Sequence, residues 1–406
     1  MEQILIVDDQ RITLHDLERN LMPLGLKVHT SQDPAEAFRI LGRENIDIVI
    51  AGFRMQKMDG LQFLRKVRHT KPEANRILMS DFLDQTTVMK LLNGGLATTF
   101  IGKDLKPELL RFKVSHILEI KRILAQHQLL SLINSIEKLP SLPSLYQELL
   151  TAVEGGKSMP EIAEILKKDT AIAAKVLHVV NSAFFGREAV SSIAEAAVYL
   201  GVSVLKDIVL TAEIISGTKW NERQARHLKE IFFHSFLVNK YVPVLFKIMR
   251  GKPFPSPYPS VGIMHDIGKV ILLKYFTERY ESIVSCGKGA EGQRFYDSEL
   301  ALGFEGNTHS EFGAYFLGWW NFPEVIVEVA LFHHTPEKGL DEYRDILEAT
   351  HHTDTAVNLA WSMTRGGKVG LESLSEIGIP RGSAESIVTT MSGEIEVQKD
   401  FFQALL

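Results

Sequence analysis

Cysteine is nearly absent: the 406 residues contain one, Cys286. A lone thiol excludes an internal disulfide and agrees with a reducing compartment. Excess basic charge is missing too. The formal net charge is −5 at pH 7, which gives no general reason to expect nucleic-acid binding. No apolar run approaches the roughly 18 residues of a membrane span. The N-terminus shows neither a basic region nor a cleavage site, so the expectation is a cytoplasmic protein without membrane contact. Apolar residues make up 45% and charged residues 23% of the chain, a globular composition. The length exceeds one ordinary core and fits two or three domains. What stands out is histidine: there are fourteen, half of them from His234 to His352.

To about residue 125, short apolar runs alternate with amphipathic helical patterns. Ile4 to Val7 reads as a buried strand, and Ile12, Leu14, Leu17, Leu21 and Leu24 recur at helical spacing. Further strands are expected at Val28, from Ile46 to Ala51, from Arg76 to Ser80 and from Thr98 to Ile101. Helices are expected from Ala35 to Leu41, through Leu61, Leu64 and Val67, and from Val88 to Leu92. Strict alternation implies right-handed crossovers, hence an α/β fold with a five-stranded parallel sheet covered on both faces. Ligands of such sheets sit at the carboxyl ends of the strands. Asp8 and Asp9 follow the first strand, Ser80 ends the fourth and Lys103 follows the fifth. Two carboxylates, a hydroxyl and an ammonium on one edge suit Mg²⁺-assisted phosphoryl transfer.

This pattern closely resembles the receiver domain of two-component response regulators, over roughly residues 1–126. The resemblance implies that Asp8 and Asp9 match the metal-binding acidic pair, Ser80 the switch hydroxyl, Lys103 the phosphate-pairing lysine and Phe100 the aromatic switch residue. Counting back from Met58-Asp59-Gly60, the phosphoacceptor position is Gly52. Glycine can neither accept a phosphoryl group nor ligate Mg²⁺. Asp47 lies at the opposite end of the strand and Asp59 too far along the loop to replace it. The proline usual after the lysine is also absent, since Asp104 follows Lys103. The expectation is a pseudo-receiver that keeps the fold without the covalent switch.

From Pro107 to Glu137 there is no internal proline or glycine, and one connecting helix over about 107–138 is expected. At 1.5 Å per residue it would span about 46 Å. Leu110, Val114, Ile117, Leu118, Ile120 and Leu124 form its apolar stripe. Two uses are open: the last receiver helix prolonged into a linker, or a parallel dimer contact. Everything beyond reads as all-α. Ser158 is a plausible N-cap for a helix through Ile162 and Leu166, and Asp169 or Thr170 for one reaching Val180. The run SSIAEAAVYLG should stop at Gly201.

Chemistry concentrates in the histidine-bearing region. His234 lies in EIFFHSFLVNKYVPVLF; His265 and Asp266 fall within VGIMHDIGKVILLKYF, which reads as an almost wholly apolar helix. His309 opens a helix in THSEFGAYFLGWW, His333 and His334 sit in VALFHHTPE, and Asp354 lies in ATHHTDTAVNLAW. A buried, unpaired carboxylate costs several kcal/mol (about 3–5 when a partner is missing), so Asp266 needs a cation or donors. Lys269, three residues on, is one candidate; a divalent metal is the fuller one. Imidazoles and carboxylates from separate helices suit Zn²⁺, Fe or Mn²⁺.

This order is similar to that of the HD superfamily of metal-dependent phosphohydrolases. With LPSLP, NSAFFG, AVYLG and HDIGK, the stretch over about 133–366 resembles an HDOD domain, leaving 367–406 as a helical tail. The resemblance implies His234, His265, Asp266 and Asp354 as the basic ligand set. It implies His309, His333 and His334 as the additional histidines of the binuclear subgroup, and Lys269 as a lysine able to contact phosphate. HD-GYP phosphodiesterases carry a glutamate after the double histidine and then Gly-Tyr-Pro. Here Thr335-Pro336 follows His334, and GLDEYRDI has no Gly-Tyr-Pro. Three readings result: a non-catalytic signalling adaptor contacting other signalling proteins as a homodimer, the regulatory role that the resemblance implies; a hydrolase; or a nucleotide- or metal-sensing module.

Overall fold

A computed structural model of the protein describes residues 2–71, 74–80, 97, 99–103, 105–125, 127–136, 144–181, 190, 192–216, 219–255, 260–287, 295–320, 322–365 and 379–397. The helix expected from Val88 to Leu92, LPSLP, most of NSAFFG and the run from Phe401 to Leu406 lie outside these residues. Two compact units divide the chain: Met1–Gln126 with Leu317–Glu324, and His127–Phe316 with Val325–Leu406.

The first unit runs β1 (Gln3–Val7), α1 (Arg11–Leu21), β2 (Lys27–Ser31), α2 (Pro34–Arg43), β3 (Ile48–Gly52), α3 (Gly60–Thr70), β4 (Asn75–Ser80), β5 (Thr99–Gly102) and α4 (Pro107–Leu124). The strands pair in parallel in the order β2-β1-β3-β4-β5. Strand side chains alternate between faces, and the sequence divides accordingly. Leu5, Val7, Val49, Ala51 and Leu78 pack with Phe63, Leu64 and Val67 of α3. Ile4, Ile6, Ile48, Ile50, Ile77 and Met79 pack with Leu110, Val114, Ile117 and Leu118 of α4. The loop ending β3 is closed by Asp59, whose side chain accepts from Gln62 N–H at 2.7 Å as the N-cap of α3. Gly60 is required there by closeness, because a Cβ would stand 2.3 Å from the Gly52 carbonyl oxygen.

The expected single connecting helix is two helices. The first, α4, ends at Leu124, and Ala125 caps it with φ −87° and ψ 9°; α5 (His127–Asn134) follows in the second unit. No proline or glycine lies at the division. Leu110, Val114, Ile117 and Leu118 bury against the sheet, which removes most of the apolar stripe from a dimer seam.

Among its described residues the second unit has helices and connecting turns and no strand. After α5 come α6 (Ser144–Glu154), α7 (Met159–Lys167), α8 (Thr170–Val180) and α9 (Ile193–Ser216). Then follow α10 (Glu222–Arg250), α11 (Val261–Met264), α12 (Ile267–Tyr275), α13 (Thr277–Gly287) and α14 (Phe295–Ala301). The last four are α15 (His309–Trp319), α16 (Glu324–Phe332), α17 (Arg344–Thr364) and α18 (Arg381–Val397). Ser158 caps α7 in a capping box with Glu161. Asp169 caps α8 by accepting from Ile172 N–H at 3.0 Å. Gly201 ends the first helical stretch of α9 as expected: at φ 71° and ψ 163° its backbone is non-helical, and a second helical stretch runs on to Ser216. The left-handed φ is what needs glycine there. By length and composition α10 could cross a membrane, yet 67% of its most apolar window is buried within the protein.

Candidate metal centre

Seven side chains from five places in the second unit converge. His234 comes from the middle of α10, His309 from the first residue of α15, and His333 and His334 from the turn just past α16. Asp354 comes from within α17. His265 and Asp266 were expected inside one apolar helix, but they occupy the junction between α11 and α12. Adjacent positions on an unbroken helix do not face each other. The break lets both turn to one point, with His265 Nε2 and Asp266 Oδ2 3.4 Å apart.

Two glycines bring the helices close enough. A Cβ on Gly262 would lie 2.4 Å from Asn239 Cα, and Asn239 Oδ1 accepts from Gly262 N–H at 3.1 Å, so α11 crosses α10 near His234 in backbone contact. A Cβ on Gly268 would lie 1.8 Å from the His309 carbonyl oxygen. That crossing sets His309 Nε2 3.3 Å from Asp266 Oδ1.

Asp266 stands between two groups of donors. Its Oδ2 lies 3.6 Å from His234 Nε2 and 3.4 Å from His265 Nε2. Asp354 Oδ1 completes this group, 2.8 Å from His234 Nε2 and 3.7 Å from His265 Nε2. Oδ1 of Asp266 faces the other group, 3.3 Å from His309 Nε2 and 3.7 Å from His333 Nε2. His334 Nε2 is 3.2 Å from His309 Nε2. In each group the potential ligand atoms lie within 4.8 Å of one another.

Burial is nearly complete: His265 is 0% exposed, Asp266 1% and Asp354 1%. Inside it, His265 Nε2, His333 Nε2, Asp266 Oδ1 and Asp354 Oδ2 have no hydrogen-bond partner. Such orphaned atoms are costly unless something fills the space between them. The imidazoles are turned to offer them: Nδ1 of His265 donates to Gly262 O at 2.7 Å, and Nδ1 of His333 to Val329 O at 3.0 Å. Each is left with an Nε2 lone pair facing the cluster.

Electrostatics agree. Burial alone would push the Asp266 carboxyl up, but His265, Lys269 and His309 hold it well below the usual carboxylate range. Lys269 Nζ sits 2.6 Å from Asp266 Oδ2. Asp354 is likewise held low against burial by its bond to His234 and by the nearby His265. Burial and neighbouring imidazoles drive His333 and His334 well below the ordinary histidine value. Burial would lower His309 too, but Glu299 and Asp266 raise it to about 9. Asp266, Asp354 and Glu299 outnumber the one ammonium. The donor set, its orphaned atoms and its surplus of carboxylate fit a divalent cation.

Glu299 was not legible as a site residue. It is fully buried, and its Oε2 bonds His309 Nδ1 at 2.6 Å. In the run FYDSELA it reads as an ordinary helix-surface acid.

In the first unit, Asp8, Asp9, Gly52, Ser80 and Lys103 fall at the carboxyl ends of neighbouring strands. Asp8 is fully buried and pairs with Lys103 Nζ at 3.0 Å. A Cβ on Gly52 would stand 2.1 Å from Asp8 Oδ2, so Asp8 fills the space over the glycine. Asp9 Oδ2 accepts from Gln56 N–H at 3.2 Å. Asp47 sits at the far end, accepting from Gln3 N–H at 2.8 Å.

The response regulator receiver domain family matches residues 4–115, and the HDOD domain family residues 139–336. The chain belongs to the receiver–HDOD proteins. That architecture fits signal transduction. A crystal structure of an HDOD domain protein of unknown function from Geobacter sulfurreducens shares the fold, with TM-score 0.50, 19% identity, and coverage of 72% of this chain and 98% of that one. An uncharacterized protein of Treponema pallidum is 23% identical over 53% of this chain and 42% of its own length. A cyclic di-GMP phosphodiesterase of Thermotoga maritima is 27% identical over 40% of this chain and 43% of its own. The chain thus spans less than half the length of these curated relatives. Asp354 lies beyond the HDOD match, and the fold of α17 brings it to the cluster.

Proposed function

We propose that this receiver–HDOD protein is a bacterial, cytoplasmic signalling adaptor. Its receiver takes no phosphoryl group at the usual place, and its HDOD domain is a metal-stabilised output module. It acts through contacts with other signalling proteins. The observation that carries the reading is Gly52 at the end of β3, with Asp8 packed over it and paired to Lys103. A receiver built this way is a pseudo-receiver: fold retained, acceptor absent. In the output half, His234, His265, Asp266 and Asp354 form a closed four-donor set, which suits a structural rather than a catalytic cation. Zn²⁺, Fe or Mn²⁺ held there would tie α10, α17 and the α11–α12 junction together. Incubation of the full chain with acetyl phosphate and Mg²⁺ tests the receiver, and intact-mass measurement should show no phosphoryl adduct. A labelled aspartate on that sheet edge would overturn the reading.

A second reading, a metal-dependent phosphohydrolase, is favoured by one feature. Lys269 and His334 are only part-buried, so one side of the cluster is reachable. A bound cation would supply Lewis acidity and activated water, while Lys269 and His334 would hold a phosphoester or nucleotide. Thr335-Pro336 after the double histidine argues against cyclic di-GMP as substrate. Turnover of nucleotide or phosphoester substrates by the metal-loaded protein, lost in His265→Ala, would favour the hydrolase. Metal without turnover leaves the adaptor.

A further inference from the structure

Three of the converging histidines have a defined partner behind the ring, and the partners differ. His265 and His333 donate from Nδ1 to backbone carbonyls. His309 is held by a carboxylate. Glu299 Oε2 lies 2.6 Å from its Nδ1, while Oε1 accepts from the His309 backbone N–H at 2.7 Å. One side chain therefore fixes both the first residue of α15 and the rotation of its imidazole. The site is built for this: Glu299 is fully buried, and Phe295 of the same helix meets the His309 ring edge-on at 5.5 Å. Tyr296, also of α14, stacks on His334 at 4.5 Å. A buried carboxylate bonded to Nδ1 places the ring proton there and leaves Nε2 facing Asp266 Oδ1 and His334. Carboxylates behind ligating imidazoles also raise their basicity as donors.

We propose that Glu299 is a positioning residue that sets the Nδ1–H tautomer of His309, making His309, His333 and His334 able to hold a second divalent cation beside the four-donor set. This rests on the metal-centre reading above. Glu299 touches no donor of the four-donor set directly, so its loss should act on one cation and spare the other.

Zn²⁺ titration of the full chain against a chromophoric chelator tests it, on wild type, Glu299→Gln, Glu299→Asp and His309→Ala. Wild type should take two equivalents. Glu299→Gln should keep the first at wild-type affinity and bind the second about 10–100-fold more weakly, matching His309→Ala. Ring ¹⁵N shifts of His309 in the metal-free protein, recorded in alkaline buffer where the ring is neutral, should move from the Nδ1–H pattern in Glu299→Gln, a change that loss of packing alone would not produce. Should Glu299→Gln fail to fold, Glu299→Asp decides: charge is kept but reach is shortened, and the second zinc alone should weaken. Two equivalents at wild-type affinity in the folded Gln or Asp variant would overturn the positioning role alone. A wild type that takes no zinc would overturn the metal reading and this inference with it.

Discussion

At the scale of single residues, the account turns on atoms that lack partners. Asp266 is held by one lysine and surrounded by imidazoles whose Nε2 atoms point inward. Replacing it with Asn removes the carboxylate and leaves the buried end of Lys269 without its counter-charge. Urea unfolding in EDTA should show Asp266→Asn less stable than wild type by about 3–5 kcal/mol; an unchanged midpoint would mean that the lysine is solvated instead. Gly52 gives the second residue-scale test. A methyl group there must displace Asp8 Oδ2 and break its pairing with Lys103. Thermal unfolding should place Gly52→Ala about 1–3 kcal/mol below wild type. Seven of the converging residues were legible because histidine and aspartate are conspicuous in apolar runs. Glu299 was not, since an acid on a short helix looks solvated until the fold buries it.

At the scale of elements, the sequence pattern predicts which segments are helical better than how they break. The strands and helices of the sheet unit follow from period-two and helical spacing. Two interruptions did not. The connecting helix divides after Leu124 without a proline or glycine, and His265-Asp266 sits between helices. Neither break has a periodic signature, whereas the stop at Gly201 was legible from the glycine itself. Gly268 makes the point testable. In a helix interior, Ala normally stabilises relative to Gly by about 1 kcal/mol. Here a Cβ would meet the His309 carbonyl at 1.8 Å, so the sign should reverse. Gly268→Ala should be destabilised by about 1–3 kcal/mol or more and should lose the cluster's metal affinity; a stabilised variant would contradict the close crossing. Ser158→Ala is the control at a cap remote from the cluster. Calorimetry should show a loss of about 1 kcal/mol with metal uptake intact.

At the scale of the whole molecule, the two units carry different polar sites. The sheet unit sets Asp8, Asp9, Ser80 and Lys103 on one edge, with Gly52 at the end of the central strand. The helical unit keeps every candidate ligand, including Asp354 beyond the family match, and gathers them from distant parts of the chain. So many buried, unpartnered donors fit a cation between them, because buried polar atoms without partners are costly. The most direct measurement is elemental analysis of the purified full chain after loading with Zn²⁺, Fe²⁺ or Mn²⁺ and desalting, alongside His265→Ala/Asp354→Ala. The account predicts at least one equivalent of tightly held metal in wild type and none at the four-donor set in the double variant. Equal metal content in the two folded proteins, or none in either, would contradict it.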